Sequence, residues 1–554
     1  MLLPGILALT ALVYVNVLRN GFIDFDDPEN VLDNYSIRAF TLENLRHWFT
    51  APLQYMYTPL VSLSYAVDYR LGQLDPTTYH VTNLLLHLVN IVLVYQLLRA
   101  LTRKVFIIGF VTVAFAVHPM NVDTVSWIST RSTLLATAFS LGALLAYLRY
   151  CRDGRWGYLV GSCALFGLAV LSKSTAVTLP LVLLVLDHYR RRGLTWRLLA
   201  EKVPYLVLAV VTGIVTLHYR VDTSHLHQYA PVNRVVLVCA ALVGYLLRLV
   251  VPYPLAFAYA YPDQHGAFLP WYLYLAPVVL GLVTWALYRS PVPNRVVTLG
   301  LLFFTVTVLL SQTVLLVDNY QANRYVYLPY LGLFLIVAHL VRRLLLAGKG
   351  WRADLRPLWQ GLLAGCLVLF AVLTMARSSL WNSTTAVWDD SIRHQPRVPF
   401  VYNSRGMAEY HRGNYPVALR DFRRATDLDP TFTLSYYYQG VIKTLSQDYA
   451  GAVVDLDRAV ALSSGFAPAY GERGKAKLAL GDVPGALADL NQAVTWDSYY
   501  VDAFLNRGLA YHRAGSYQQA VTDFDRAVLL DPNLAAAYLG RGDARSQLGD
   551  TAGA

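Results

Sequence analysis

Twelve apolar runs of 14 to 23 residues, nearly free of charge, fill most of the first 376 residues: 2–18, 79–101, 105–118, 132–150, 157–172, 174–188, 203–219, 235–251, 271–288, 296–317, 325–343 and 358–376. A hydrocarbon layer about 30 Å thick asks for about 20 apolar residues per helix. Inside it each backbone N–H and C=O must be satisfied within its own segment, so each run is predicted to be helical. With 554 residues, 56% of them hydrophobic, the chain reads as a multi-span helical membrane protein with a further domain attached.

The net charge of +11 invites a nucleic-acid reading that its distribution does not support. Residues 1–398 hold 31 Lys and Arg against 18 Asp and Glu, whereas residues 399–554 hold 15 against 17. Eighteen of the 31 cations fall in five short segments, 99–104, 149–155, 190–202, 289–295 and 342–356, which is the pattern of loops retained on the inner side of a membrane. The loop 20–78 is the opposite, with eight acidic residues and three basic ones, and reads as outside. Placing all five basic segments inside sends the C-terminal domain outside only if one apolar run does not cross. The nominees are 203–219 and 235–251, because Val251 through Pro262 carries three prolines and is expected to be irregular, in the manner of a re-entrant segment. The first run lacks a basic leader and a clean cleavage site and is read as a retained span, with a signal anchor as the alternative. The four cysteines, Cys151, Cys163, Cys239 and Cys366, lie in or beside apolar runs with no CxxC pair, so neither a disulfide framework nor a zinc site is implied.

The acidic loop opens with Phe22-Ile23-Asp24-Phe25-Asp26-Asp27-Pro28-Glu29-Asn30. Carboxylates crowded at a membrane surface repel one another and lose solvent, which raises a pKa and makes a candidate general base or cation site. The plainer reading is a solvated helix start capped by Asp26 or Asp27. Further along, Thr41 to Phe49 and Leu60 to Leu71 suit short helices lying in the interface.

Ionisable groups inside apolar sequence carry a cost and so point to function. Lys173 interrupts two apolar runs, where it either snorkels to lipid phosphate or binds a substrate phosphate. The stretch from His118 through Asp123 and Trp127 to Arg131 leaves a span on the same side as the aspartates and could face them; a turn capped by Asp123 is the alternative. Asp318 to Tyr325 places Arg324 at a helix start suited to a phosphate, or else anchors the chain through Tyr320, Tyr325, Tyr327 and Tyr330. No metalloprotease, P-loop, serine hydrolase or dinucleotide-binding motif occurs.

From residue 399 a period of 34 appears: Gly406, Gly440, Gly474, Gly508 and Gly542 are in register, as are Ala418, Ala452, Ala486, Ala520 and Ala554. This is a tetratricopeptide (TPR) pattern, an α-solenoid of about 4.5 repeats that binds peptides or partner helices and is seldom catalytic. The last repeat stops within its second helix, so the chain is expected to continue past Ala554.

The FDD motif after a first span, followed by YTPLVSLSYAVDYRLG, AVHPMNVDTVSW, ISTRSTLLA, LSKSTAVTLP, NRYVYLPYLG and then TPR repeats, resembles the transmembrane and TPR-containing O-mannosyltransferases and their bacterial relatives. The resemblance covers nearly the whole chain. It implies an all-α architecture: residues 1–398 as a GT-C type glycosyltransferase domain with about 11–12 spans, and residues 399–554 as the TPR domain. It further implies Asp26 as the base that deprotonates an acceptor hydroxyl, with Asp27 beside it. His118, Asp123, Arg131, Lys173 and Arg324 would bind donor phosphate or shape the pocket. The donor would be a polyprenyl- or dolichyl-phosphate sugar, the acceptor a protein or peptide presented by the repeats, with no nucleic acid involved; a divalent ion is compatible but not implied. The location would be a bacterial inner membrane, or an endoplasmic reticulum membrane in a eukaryote, with the repeats outside or luminal. Two departures bear on the sugar and acceptor: the eukaryotic relatives show a glutamate where Asp123 stands and Lys-Glu where Lys173-Ser174 stands. Two competing readings are a non-catalytic TPR membrane scaffold and a glycan ligase or polymerase using a lipid-diphosphate donor.

Overall fold

The computed structural model describes residues 2–53, 56–219, 229–262, 268–309, 320–346, 356–550 and 553; Asp318, Asn319 and Ala554 lie outside them. The chain divides into two compact units, Met1–Pro396 and Arg397–Ala554. Both are helical, and among the described residues the extended pairing is confined to one isolated bridge, Leu53 with Met56.

Among the described residues of the first unit six helices are long and apolar enough to cross a membrane: Pro76–Leu101, Ile128–Asp153, Trp196–His218, Pro231–Val250, Trp271–Arg289 and Arg356–Asn382. A seventh is obtained if Val105–Val117 and Pro119–Ser126, bent by 50°, count as one. Several of the other apolar runs form shorter helices, and the 296–317 run is described only as far as Leu309. The first run ends its α-helix at Val13 and tightens into a 3-10 turn, Val15–Arg19. At His118 the backbone is extended (φ −71°, ψ 128°), the conformation a following proline imposes, and Pro119 has no N–H to continue the ladder. At Lys173 the backbone is again extended (φ −159°, ψ 126°), parting Trp156–Ser172 from Leu179–Tyr189. A 17-residue helix rises about 25 Å, less than the hydrocarbon thickness. Both nominated non-crossing runs form full-length helices, so length does not single one out. Val251 to Pro262 is irregular, and its Leu255 to Tyr259 section is buried.

Helices Asn294–Leu309 and Tyr330–Leu346 touch backbone to backbone: a Cβ on Gly300 would sit 2.5 Å from the Gly332 carbonyl oxygen, and one on Gly332 2.4 Å from that of Gly300. Small residues of this kind let helices pack without a hydrophobic driving force inside a bilayer. The acidic loop is ordered by a core of its own. Helices Leu42–Thr50 and Pro59–Gly72, as expected from their amphipathic patterns, bury Trp48, Val61 and Tyr65 against Val31, Ile37, Tyr79 and Ile128.

The second unit is the repeat array, nine helices among the described residues from Pro399–His411 to Ala535–Gln547. The glycines of the 34-residue register lie where a side chain would collide with the paired helix: a Cβ on Gly440 would be 2.4 Å from Leu456, and one on Gly474 2.6 Å from Leu490. An arginine recurs just before this glycine and pairs with an aspartate 16 residues on: Arg405 with Asp421, Arg473 with Asp489, Arg507 with Asp523. Arg473 also reaches back to Asp457, 2.8 Å away, and so fastens one repeat to the one before.

Candidate active site

The turn after the first helix sets the site. Phe25 inserts its ring among Trp127, Phe257 and Trp388, with centroids 5.6–5.9 Å apart, and so pins the chain just before the two carboxylates Asp26 and Asp27. Asp27 is fully buried. One oxygen accepts from the Ile23 N–H at 2.8 Å; the other accepts from the Ser129 N–H at 3.1 Å and, in a short contact, from Ser129 Oγ. Asn30 Nδ2 in turn donates to Ser129 Oγ at 2.9 Å. Asp27 is thus not a helix cap: it ties the acidic turn to the segment before helix Arg131–Asp153. Burial raises its pKa to about 6, opposed by these hydrogen bonds.

Asp26 is partly exposed. Loss of solvent, set against the lowering effect of Arg324 and reinforced by Asp27 and Glu29, raises its pKa to about 7. Arg324 lies in an aromatic cage, its guanidinium 5.2–5.3 Å from the ring centres of Trp127, Phe257 and Tyr325, and its Nη1 is buried with no hydrogen-bond partner among the described residues. Lys173 donates to Thr133 Oγ1 at 2.7 Å; burial first and the Arg324 charge second lower its pKa to about 8.

Lys173 and Arg324 line one cavity. Its walls grade from hydroxyls (Thr133, Thr175, Thr178) to hydrocarbon (Leu144, Val182, Phe303). Thr133 and Leu144 are 11 residues apart on one helix, so the cavity descends roughly 16 Å along it. Two cations at the head and an apolar tail match an anion carried on a long hydrocarbon chain.

The remaining residues singled out from the sequence do not join this cavity. Asp123 is buried and accepts from Asn323 Nδ2 at 2.8 Å and from Arg377 at 3.2 Å, with no capping contact of its side chain. Asn323 also donates to the Ala256 carbonyl and accepts from the Tyr259 hydroxyl, so this network locks the residue beside Arg324. His118 accepts from the Met120 N–H through Nδ1, which leaves Nε2–H to donate to the Leu249 carbonyl at 3.2 Å; its ring lies among Tyr330, Phe334 and Phe370. Arg131 is fully buried and held by four partners: Asp68 at 2.8 Å, Ser64 Oγ at 2.6 Å, the Tyr79 carbonyl at 2.9 Å, and Asn83 Oδ1 in a short contact. Arg377, Asn323 and Asp68 were not singled out by sequence. Arg377 was readable as a charge just past the last apolar run, and Asp68 as an acid on the buried face of an amphipathic helix. Among the described residues no group of three or more His, Cys, Asp or Glu side chains converges to hold a metal ion.

Asp27 makes a sharp case for positioning. Asp27→Asn keeps one acceptor oxygen and brings an amide N–H₂ towards backbone or hydroxyl donors, so unfolding free energy is expected to fall by about 1–3 kcal/mol. Ser129→Ala removes the short contact and the Asn30 bond but leaves both backbone N–H donors on Asp27, and is expected to cost less. Chemical unfolding of the two variants checks the order.

These features define a many-helix membrane protein with two cations at the head of a half-apolar cavity, one of them acting electrostatically on the Asp26 carboxylate, and with a TPR array in the same chain. Residues 58–219 match the family described as dolichyl-phosphate-mannose-protein mannosyltransferase, and tetratricopeptide families match 399–432, 474–515 and 501–534. The chain is similar to the protein O-mannosyl-transferase Tmtc1 of Drosophila melanogaster, 32% identical over 32% of this chain and 21% of that protein. It is also similar to a protein O-mannosyl-transferase of Caenorhabditis elegans, 23% identical over 77% of this chain and 62% of that one, and to TMTC3 of Mus musculus, 24% identical over 77% and 51%. The chain therefore spans between about one-fifth and three-fifths of the length of these relatives.

Proposed function

We propose that the protein is a membrane glycosyltransferase of the GT-C type, which moves a sugar, mannose by similarity, from a polyprenyl- or dolichyl-phosphate donor to a hydroxyl of a protein or peptide. The observation that carries this reading is the pair Lys173 and Arg324 at the head of the cavity, one with a buried unpartnered nitrogen, beside a carboxylate whose pKa is about 7. The donor phosphate lies on the two cations with its hydrocarbon chain along Leu144 and Val182. Asp26 takes the proton of the acceptor hydroxyl as its oxygen attacks the anomeric carbon. The bond from that carbon to the phosphate oxygen breaks, the lipid monophosphate departs with both electrons, and configuration inverts. The carboxylates open to the extracytoplasmic or luminal side, and the repeats hold the acceptor or a partner.

Two groups set the pH profile. Asp26 must be ionised, so kcat/KM rises with pH through about 7, whereas Lys173 must be charged, so it falls above about 8. The expected bell has its maximum between these values, and Lys173→Arg removes the alkaline limb while the acid limb stays. A donor titration tests the cavity assignment: Lys173→Gln and Arg324→Gln are each expected to raise KM for the lipid-phosphate sugar by about tenfold or more, charge-assisted bonds being worth about 1.5–3 kcal/mol. An unchanged KM in both variants would place the donor elsewhere.

A further inference from the structure

At the far end of the helix that carries Thr133, three separate segments bring five arginines to one open groove: Arg99 in the last turn of helix Pro76–Leu101 and Arg103 just after it, Arg149 and Arg152 at the end of Arg131–Asp153, and Arg190 after Leu179–Tyr189. Thr133 and Arg149 are 16 residues apart on that helix, so the groove lies roughly 24 Å from the Lys173 contact, at the opposite end of the helical body. The cations next to it are used up. Arg192 and Lys202 are paired with buried Asp187 and Glu201 around the Tyr147 hydroxyl, which accepts from Arg192 at 2.7 Å and from Lys202 at 2.5 Å. That network fastens the 190–202 segment to the long helix and makes a rigid floor. The groove arginines are exposed, and Asp153, ion-paired to Arg152 at 2.7 Å, is the carboxylate beside them. The groove wall is not polar throughout: Leu101, Leu145 and Leu148 continue from the arginines toward the apolar length of the helices.

We propose that this groove binds the phosphodiester headgroup of an anionic glycerophospholipid of the leaflet opposite the carboxylates. Charge complementarity selects an anion, and the leucine wall selects one that carries acyl chains over a free phosphate. The groove's volume, about 730 Å³, accommodates a headgroup with its glycerol. Basic pockets between membrane helices hold lipid headgroups by this combination of charge and adjoining hydrocarbon contact.

The test is native mass spectrometry of the full chain released from nanodiscs of phosphatidylglycerol and phosphatidylcholine in equal amounts. The wild type is expected to retain phosphatidylglycerol in preference. Each of Arg99→Gln, Arg149→Gln and Arg190→Gln is expected to lower that retention by about fivefold. Arg289→Gln and Arg343→Gln, which remove the same charge from other basic segments, are expected to leave it unchanged. Equal loss in the two sets would show a diffuse charge effect and overturn the site, as would retention that survives all three groove substitutions. Displacement of the lipid by inorganic phosphate at millimolar concentration would overturn the choice of a lipid. Single substitutions at exposed arginines leave the Tyr147 network in place, and thermal unfolding of each variant confirms the fold.

Discussion

Asp26→Asn is expected to lower kcat/KM for sugar transfer by about 10²–10⁴, the range assigned to a positioned general base, with the donor KM nearly unchanged. Asparagine keeps the size and hydrogen-bonding reach of the side chain but cannot accept the acceptor's proton. The same variant is expected to be no less stable than the wild type at pH 8. The folded pKa of Asp26, about 7, lies above its ordinary value of 3.8, so the protonated form favours the fold. That contribution is fully present below about pH 4 and is lost as pH rises through 7, which leaves an ionised Asp26 as a cost at pH 8 that asparagine does not bear. Loss of activity together with undiminished stability separates a catalytic carboxylate from a structural one. Parallel transfer assays and thermal unfolding at pH 6 and pH 8 make the comparison.

Arg131→Met is the largest expected loss of stability. The guanidinium is fully buried and satisfies Asp68, Ser64, Tyr79 and Asn83 together, with the Tyr65 ring 5.1 Å from its centre. Its removal strands the Asp68 carboxylate, which is 1% exposed and keeps only the Thr82 hydroxyl, at 2.7 Å. Breaking a buried pair from one side costs about 3–5 kcal/mol. The double variant Arg131→Met, Asp68→Leu is expected to recover most of this, since no uncompensated charge remains. Failure of the double variant to recover would show that the hydrogen bonds to Tyr79 and Asn83, and not the stranded charge, dominate. Because Arg131 joins helices Pro59–Gly72, Pro76–Leu101 and Arg131–Asp153, its loss reaches the active site through the acidic loop and lowers activity only as far as the fold loosens.

The helical class and the repeat array are legible in sequence because both follow from periodicity and run length: apolar runs must be helices in lipid, and a glycine every 34 residues must face a partner helix. Helix ends are less legible. His118-Pro119 announces its own break, but no proline or glycine marks the ends at Val13 and Lys173, so runs that look like spans become shorter pieces. Within the site, Lys173 and Arg324 stand out as charges in apolar or aromatic surroundings. Asp26 and Asp27, adjacent and chemically identical, cannot be told apart by local pattern. Ser129, 102 residues away, separates them by occupying one carboxylate and leaving the other beside Arg324. The same long-range pairing hides the roles of Asn323 and Arg377, whose partners Asp123 and Asp390 become neighbours only in the folded chain. Arg131 reads from its place in a motif as a phosphate ligand or a residue that shapes the pocket, and its contacts run to Asp68, Ser64, Tyr79 and Asn83 inside the protein.

The central claim is that Asp26 and the Lys173–Arg324 cavity together perform transfer from a lipid monophosphate sugar. The most direct measurement incubates the purified full chain with polyprenyl-phosphate mannose, isotopically labelled in the sugar, and a serine- and threonine-containing acceptor peptide, and follows both the peptide mass and the released lipid. The account predicts a labelled hexose on the peptide, released lipid monophosphate in equal amount, and neither product with Asp26→Asn. Transfer undiminished in Asp26→Asn, or turnover of a lipid-diphosphate sugar with release of the diphosphate in place of the monophosphate, would contradict it.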